Sequence, residues 1–473
     1  MNFQQGIRAL LLVPIIALVL LVSPRDVVRA GIFGDFTIRD EVELGRKFNM
    51  MIRSSMPMIE DPVVAGYVRD MVQRIARGMP PQPFALEPAV IRNGALNAFA
   101  TAGGYVYVFS GLILNADHEA ELAGVVAHEL AHVSQRHIAQ SIEQSQLAGL
   151  GTLAGMLAGA FLGTKSSEAG QAVMFGALAS SRAAQLKYSR EHEEEADQVG
   201  LHYLMEARYP PQGLVDAFQK IRRLSWLGGS SIPSYLSTHP GVEERIGYLS
   251  DRIAGLPQRV RTPEVDESRF LRVRELVRAR YSPAEDALPY YEVHETTVME
   301  QLGKAIVLSR LNRISEAEEQ FRRVLNAAGR GDPLILREAG RFFYEYGNLK
   351  QAAMYLQEAV IKAPHDLMAQ FFYARILSEM GQEHEAVGYL QNILHKLPDD
   401  GEVHYYLGRT LGKTGSDFRA HLHLCYAALY RREQSRLRFH LQKARKLADS
   451  EDRQGLLEEL EKTIQERKEM EKG

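Results

Sequence analysis

The sequence is nearly free of cysteine and has no large excess of charge of either sign. Cys425 is the only cysteine among 473 residues, so no disulfide can form within the chain, and packing or a metal must hold the fold. Lysine and arginine number 56 against 59 aspartate and glutamate residues, which gives a formal net charge of -3. This balance excludes a general electrostatic attraction to nucleic acid or to an anionic membrane surface.

The apolar run nearest the start of the chain is too short for an ordinary membrane span. Residues 9–22, ALLLVPIIALVLLV, carry no charge but contain Pro14, whereas a bilayer span needs roughly 20 residues. A basic residue precedes the run, and Val28 and Ala30 fit a small-residue cleavage site. We therefore expect a signal peptide over residues 1–30 that directs export, with a retained membrane anchor as the alternative.

A second uncharged stretch, residues 147–164, has glycine at every fourth position from 151 to 163. Glycines four apart lie along one helix face and let a neighbouring helix approach closely. The stretch predicts a helical hairpin with residues 169–187, packed within the protein. The alternative is peripheral contact with a membrane through residues 147–187.

Length and hydrophobic pattern predict a mixed domain at the start of the mature chain. A chain of 473 residues is long enough for two or three domains. Apolar residues at helical spacing predict helices over Glu41–Met51 and Pro62–Arg77, and Gly103-Gly104 fits a hairpin turn. The first half is therefore expected to be α+β, mostly helical with a small antiparallel sheet, whose strands are Phe84–Val90, Leu96–Ala102 and Tyr105–Phe109.

The second half repeats with a period of 34 residues. Gly347, Gly381 and Gly415 keep this step, and sets of alanines and leucines follow it too. A helix-turn-helix unit of this length is typical of the tetratricopeptide repeat, which stacks into an all-α solenoid with a concave binding surface. The predicted organisation is a signal peptide at 1–30, an α+β domain at 31–255, a linker at 256–291, the repeats at 292–450 and a helical tail at 451–473.

The sequence HELAH places two histidines four residues apart on a predicted helix. Positions four apart share one helix face, so His128 and His132 can present ring nitrogens to one zinc ion. Glu129 stands beside them and is the candidate general base. The flanking residues are uncharged and include no proline, which favours a buried helix over a solvated one.

A catalytic zinc site takes three protein ligands, so one more must come from elsewhere in the chain. The acidic run EHEEEADQVG, which begins at Glu191, offers several carboxylates. Spacing by itself leaves Glu193, Glu194 and Asp197 all open as the third ligand.

Three stretches together resemble the M48 family of membrane-associated and secreted zinc metallopeptidases: NADHEAELAGVVAHELAHVSQRH, YSREHEEEADQVGLHYL and YLSTHPGVEERIGYL. The resemblance implies a zincin-like domain with one zinc ion per chain, and it makes Glu193 the third ligand. It gives Asp197 a catalytic role as a proton donor, although an aspartate in contact with a metal-binding histidine also suits orientation. His239 and Arg245 match family positions near the metal. His239 is the candidate fourth ligand, which would keep the enzyme inactive.

With a signal peptide in front and repeats behind, the resemblance narrows to a periplasmic group of this family that serves outer-membrane protein assembly. It implies a zinc endopeptidase and chaperone that degrades misfolded or stalled outer-membrane polypeptides, while its repeats dock on the assembly machinery. The edge of strand Tyr105–Phe109 is expected to pair with extended substrates. The alternative is a proteolytically silent scaffold, which the complete set of candidate residues disfavours. His118 and His137 are expected to be surface or structural residues, and no nucleic-acid partner is expected.

Overall fold

A computed structural model describes residues 36–145, 188–227, 234–328 and 331–472 of the chain. The predicted signal peptide and the glycine-rich stretch at 147–187 lie outside these residues. Among the helices in the described ranges, none is both long enough and apolar enough to cross a membrane.

Helices dominate the first half, and three short strands interrupt them. Asp61 caps α2 by accepting a hydrogen bond from the Val63 N–H at 2.9 Å, and Pro62 fits the first turn because its missing N–H is not needed there. The elements are α1 Ile38–Ser55, α2 Pro62–Ala76, β1 Glu87–Ile91, β2 Ala98–Ala100, β3 Tyr105–Phe109, α3 Ser110–Asn115, α4 Glu119–Ser134, α5 His137–Ser145, α6 Arg190–Glu206, α7 Gln212–Leu227, α8 Ser234–Thr238 and α9 Val242–Ala254.

The three strands form one mixed sheet in the order β1-β3-β2. Strands β2 and β3 are antiparallel, as predicted, and the turn between them uses Gly103 and Gly104 at φ angles of 74° and 85°. Strands β1 and β3 are parallel, so the expectation of a purely antiparallel sheet is wrong. The reason is that the chain after β1 passes to the far side of β3 before the hairpin turns back, which leaves β3 in the centre.

The helix that carries HELAH is buried along nearly its whole length, because other helices approach its backbone directly. All residues of α4 from Glu119 to Val133 are buried. A Cβ atom on Gly124 would lie 2.7 Å from the Leu214 Cα of α7, and one on Gly200 of α6 would lie 3.0 Å from the His128 Cα. Glycine at these two contacts lets α6 and α7 pack closely enough to bring their side chains to the histidines.

The second half is a stack of helical hairpins with the predicted period. Gly347, Gly381 and Gly415 have φ angles of 81°, 80° and 75°, a conformation that favours glycine, and they end the first helix of each repeat. The helices are α13 Val298–Arg310, α14 Ile314–Ala328, α15 Pro333–Glu345, α16 Leu349–Lys362, α17 Leu367–Glu379, α18 Glu383–Lys396, α19 Gly401–Lys413, α20 Asp417–Tyr430, α21 Gln434–Leu447 and α22 Glu451–Lys472.

The segment predicted as a linker is helical and packs against both halves. It contains α10 Gln258–Arg261, α11 Ser268–Tyr281 and most of α12 Ala284–Val293. Helix α11 contacts α2 and α3 on one side and α13 on the other. From Ile38 onward the described residues belong to one compact unit, and the exact domain boundaries stay predictions.

Buried ion pairs join the repeats to the first half. Arg337 of α15 is fully buried and donates to Asp61 at 2.7 Å, to Glu338 at 2.9 Å and to Asp366 at 3.1 Å. Arg280 of α11 donates to Glu338 from the other side. We call Asp61, Arg337, Glu338 and Asp366 the junction cluster.

Candidate metal centre

The two histidines of HELAH converge with a carboxylate from α6 and a third histidine from the loop after α8. His128, His132, Glu193 and His239 are buried, and each offers a ligand atom within 4.8 Å of the others. We call these four residues the metal centre. The sequence separates its members by up to 111 residues, so only the tertiary fold brings them together.

The spacing of the ligand atoms fits one metal ion. The Nε2 atoms of His128 and His132 are 3.0 Å apart, and they lie 3.5 Å and 3.4 Å from the two oxygens of Glu193. The Nδ1 atom of His239 lies 3.4 Å from His128 Nε2 and 2.9 Å from Glu193 Oε1. Ligands about 2.0–2.1 Å from a tetrahedral zinc ion stand roughly 3.3 Å from one another, so the four residues fit such an ion.

Two buried polar atoms beside this set have no hydrogen-bond partner among the described residues. They are Glu129 Oε1 and His239 Nε2, and they lie 3.5 Å apart. The other oxygen of Glu129 accepts a hydrogen bond from the Ala100 N–H at 3.2 Å. Because buried polar groups are almost always paired in a folded protein, this point of the site is suited to a polar ligand.

Of the three carboxylates that spacing left open, one faces the histidines directly. Glu194 is exposed and pairs with Gln198, so it lies outside the metal centre. Asp197 lies one turn beyond Glu193, and its Oδ1 is 3.0 Å from the outer nitrogen of His128, Nδ1. Glu193 thus lies at the ligand position, whereas Asp197 contacts the outer nitrogen of a ligand histidine.

Arg245 of α9 holds both of these acids. It donates to Asp197 Oδ2 at 2.8 Å and Oδ1 at 2.7 Å, and another of its nitrogens donates to Glu193. The guanidinium packs over the Phe218 ring at 4.4 Å, and Tyr248 donates a further hydrogen bond to Asp197. Arg245 therefore lies near the metal centre, as the resemblance implied.

Burial and neighbouring charges set the protonation of the acids. Burial alone would raise the pKa of Asp197, but Arg245 and the hydrogen bond with His128 outweigh it and lower this pKa. The pKa of Glu193 is likewise held well below its usual range by His239 and Arg245, against the effect of burial. Burial raises the pKa of Glu129, which has weaker compensation. An ionised Asp197 suits orientation of His128, while its predicted role as proton donor stays a prediction.

The two histidines given no specific role have different surroundings. His118 is exposed at the start of α4, where its Nδ1 lies 3.2 Å from Glu267. His137 is fully buried, and its Nδ1 lies 2.8 Å from Nδ1 of His132. Sequence reasoning missed this contact, and the available signal was a histidine five residues after His132 in the same motif.

The strand expected to bind substrate is not at an edge of the sheet. Both sides of β3 are paired, by β1 and β2, so the expectation that its edge is open is wrong. Among the described residues β2 pairs only with β3, and its other side is buried against Glu129 of the HELAH helix. The Asn97 carbonyl and the Thr101 N–H form hydrogen bonds with β3. Backbone groups alternate in direction along a strand, so those of Ala98 and Ala100 point away from β3, and the Ala100 N–H donates to Glu129.

Comparisons with known proteins agree with this geometry. The family model described as Peptidase family M48 matches residues 62–253, which include the metal centre, and a Tetratricopeptide repeat model matches residues 343–411.

Three curated relatives illustrate the coverage. A putative beta-barrel assembly-enhancing protease of Vibrio cholerae is 32% identical over 60% of this chain and 59% of its own length. The beta-barrel assembly-enhancing protease of Yersinia pestis is 28% identical over 69% of this chain and 68% of its own. A Protease HtpX homolog of Methylibium petroleiphilum is 32% identical over 42% of this chain and 76% of its own. The chain spans less than two thirds of the first of these relatives. HELAH, the carboxylate on α6 and these matches all indicate the same family, and the chain belongs to peptidase family M48.

Proposed function

We propose that this protein is a zinc-dependent endopeptidase, and the convergence of His128, His132 and Glu193 beside Glu129 is the observation that carries the proposal. His128, His132 and Glu193 would be the three protein ligands of one zinc ion. When bound, zinc acidifies a water molecule and polarises the peptide carbonyl. Glu129 takes the proton from the attacking water, since its Oε1 faces the centre while its other oxygen is fixed by the Ala100 N–H.

His239 is proposed as a fourth ligand that keeps the site at rest. Its ring stacks on Tyr235 at 4.3 Å, and its Nδ1 points at the ligand atoms of the other three residues. A fourth protein ligand fills the position that a catalytic site leaves to water. Cleavage then requires His239 to withdraw.

Asp197 is proposed to orient His128 through its ionised carboxylate. Arg245 and Tyr248 hold that carboxylate in place, and His128 donates to it from Nδ1, which leaves Nε2 free to face the metal. A proton-donor role for Asp197 would require it to be protonated despite Arg245.

Substrates are proposed to be extended polypeptides that add a strand beside β2 when the resting site opens, because Ala98 and Ala100 are fully buried at rest. Main-chain hydrogen bonds to Ala98 and to the Ala100 carbonyl would supply affinity with little side-chain preference, which suits unfolded chains, while the Ala100 N–H stays on Glu129. Because two relatives are named beta-barrel assembly-enhancing proteases, we assign as clients misfolded or stalled outer-membrane polypeptides of the periplasm. The repeats would bind these clients or the assembly machinery, and thereby add a chaperone role.

The test is Glu129→Gln, measured on a permanently unfolded polypeptide such as carboxymethylated lactalbumin. We expect bound zinc to remain and the cleavage rate to fall by roughly 100- to 10,000-fold, since the ligands survive and the base is lost. Glu194→Gln is the matched control, because Glu194 is exposed on the same helix as Glu193.

The same measurement is made in a His239→Ala background, so that a resting site does not mask activity. Undiminished cleavage by Glu129→Gln would overturn the proposed mechanism. If neither the unmodified protein nor His239→Ala cleaves the polypeptide while Glu129 is intact, the result would instead favour the silent scaffold.

A further inference from the structure

The two ligand histidines on α4 are held from behind by different groups. The outer nitrogen of His128 faces a carboxylate, Asp197, at 3.0 Å. The outer nitrogen of His132, Nδ1, faces the Nδ1 of another histidine, His137, at 2.8 Å. We propose that His137 is a positioning residue that fixes the ring and tautomer of His132, with Glu195 as the outer end of the same relay. The inference rests on the proposed metal site.

The tautomers of the relay follow from its hydrogen bonds. His132 turns Nε2 toward the ligand atoms of the metal centre, so that nitrogen must carry a lone pair and Nδ1 must carry the proton. His132 therefore donates to His137 Nδ1, which accepts. The proton of His137 then lies on Nε2, which donates to Glu195 Oε2 at 3.2 Å. This assignment of protons satisfies both hydrogen bonds of the relay, from His132 to His137 and from His137 to Glu195.

The local fold is built to hold His137 in this position. Arg136, between α4 and α5, has a φ of 55°, an unusual value for a residue other than glycine. Its side chain is tied to the buried Glu41 at 2.9 Å. This turn separates the helix that carries HELAH from α5 and places His137 at the first residue of α5.

Ring contacts restrain both histidines further. His137 stacks on His192 with centroids 4.3 Å apart and planes 13° apart. Tyr188 stacks on His132 at 3.7 Å and 17°. His137 is fully buried, whereas the Glu195 side chain is 49% exposed, so the relay runs from the metal centre to the surface.

Outer partners of metal-binding histidines are generally worth about 10- to 100-fold in metal affinity. The measurement is zinc affinity by competition with a chelator, together with the visible spectrum of the Co²⁺-substituted protein, which reports the ligand field at the metal. For His137→Phe we expect weaker zinc binding by roughly that factor and a changed Co²⁺ spectrum, because Phe keeps the stacking but accepts no hydrogen bond. His137→Gln should restore part of the affinity, since its carbonyl oxygen can accept from His132.

Two further variants separate positioning from packing. His192→Phe is the matched control, because Phe keeps a ring stacked on His137 and removes only the hydrogen bond between His192 and Gln140, so zinc affinity should be unchanged. Glu195→Gln changes a half-exposed group, leaves the fold intact, and should weaken zinc by less than His137→Phe. Parent-like affinity and spectrum in folded His137→Phe would overturn the inference, as would an equal loss in His192→Phe. Absence of zinc binding by the parent would instead overturn the proposed metal site itself.

Discussion

The metal centre and the junction cluster are both sets of charged groups removed from water, yet they are completed in different ways. In the junction cluster every guanidinium nitrogen of Arg337 donates to a carboxylate. At the metal centre, His239 Nε2 and the neighbouring Glu129 Oε1 have no hydrogen-bond partner among the described residues. A buried ionic set whose groups are all paired holds structure, whereas a set with free polar atoms aimed at one point is suited to chemistry.

Their connections to the chain differ as well. Asp61 and Asp366 each cap a helix while they accept from Arg337, so two helix starts in different halves depend on one side chain. The metal centre is instead held by residues around it: Arg245 donates to the two acids of α6, and His137 contacts the outer nitrogen of His132. The comparison predicts that changes in the first cluster alter stability and that changes in the second alter metal binding and rate.

The largest expected effect is on stability. Arg337→Leu removes the positive charge that pairs with the buried carboxylates of Asp61, Glu338 and Asp366. We expect the free energy of unfolding to fall by about 3–5 kcal/mol. Urea unfolding measures it. Arg322→Ala is the control, because Arg322 is 65% exposed in a pair with Glu318, and the expected cost is at most about 0.5 kcal/mol. Equal costs for the two variants would show that the junction cluster does not stabilise the fold.

The next effect separates the neighbouring acids of α6. Glu193→Gln should weaken zinc binding by roughly 100-fold or more, since even outer partners are worth about 10- to 100-fold. Glu194→Gln should leave it unchanged, because Glu194 faces solvent. Without metal, Glu194→Gln should unfold at the same urea concentration as the parent, whereas Glu193→Gln should unfold at a lower one, because Arg245 loses a charged buried partner. Equal zinc contents would leave Glu193 unsupported as a ligand.

A smaller effect is expected at the proposed resting ligand. His239→Ala should raise the rate of cleavage of an unfolded polypeptide several-fold, since water regains the fourth position. His118→Ala, a change at an exposed histidine, is the control. A fall in rate with His239→Ala would instead make His239 a group that stabilises the transition state.

The last effect is a change in how stability depends on acid pH. Burial alone would raise the pKa of Glu338, but Arg280 and Arg337 outweigh it and lower this pKa to about 2. Glu338 thus contributes stability above its unfolded pKa of about 4.5, and the contribution is lost as pH falls from there toward 2. Glu338→Gln should flatten the loss of stability over this range. An unchanged pH profile would place the acid sensitivity elsewhere.

Local patterns were sufficient for the elements and for part of the site. The two histidines of HELAH lie on one face of a helix because an α-helix brings residues four apart together. The glycines of the repeats lie at helix ends because their positive φ is costly for other residues. Sheet order was not predictable in this way, since whether β1 joins β3 as a parallel neighbour depends on how the chain crosses between them.

By itself the sequence determined the family, the catalytic helix and the period of the repeats, all of which depend on short-range spacing. Helical spacing left open which acid of α6 meets the histidines, and the tertiary structure decided it through the close approach of Gly200 to the backbone of His128. It also decided that His137 stands behind His132 and that Arg337 joins groups 276 residues apart. The physical reason is that burial and pairing of charges depend on what packs against a residue, and the neighbours along the chain do not specify that.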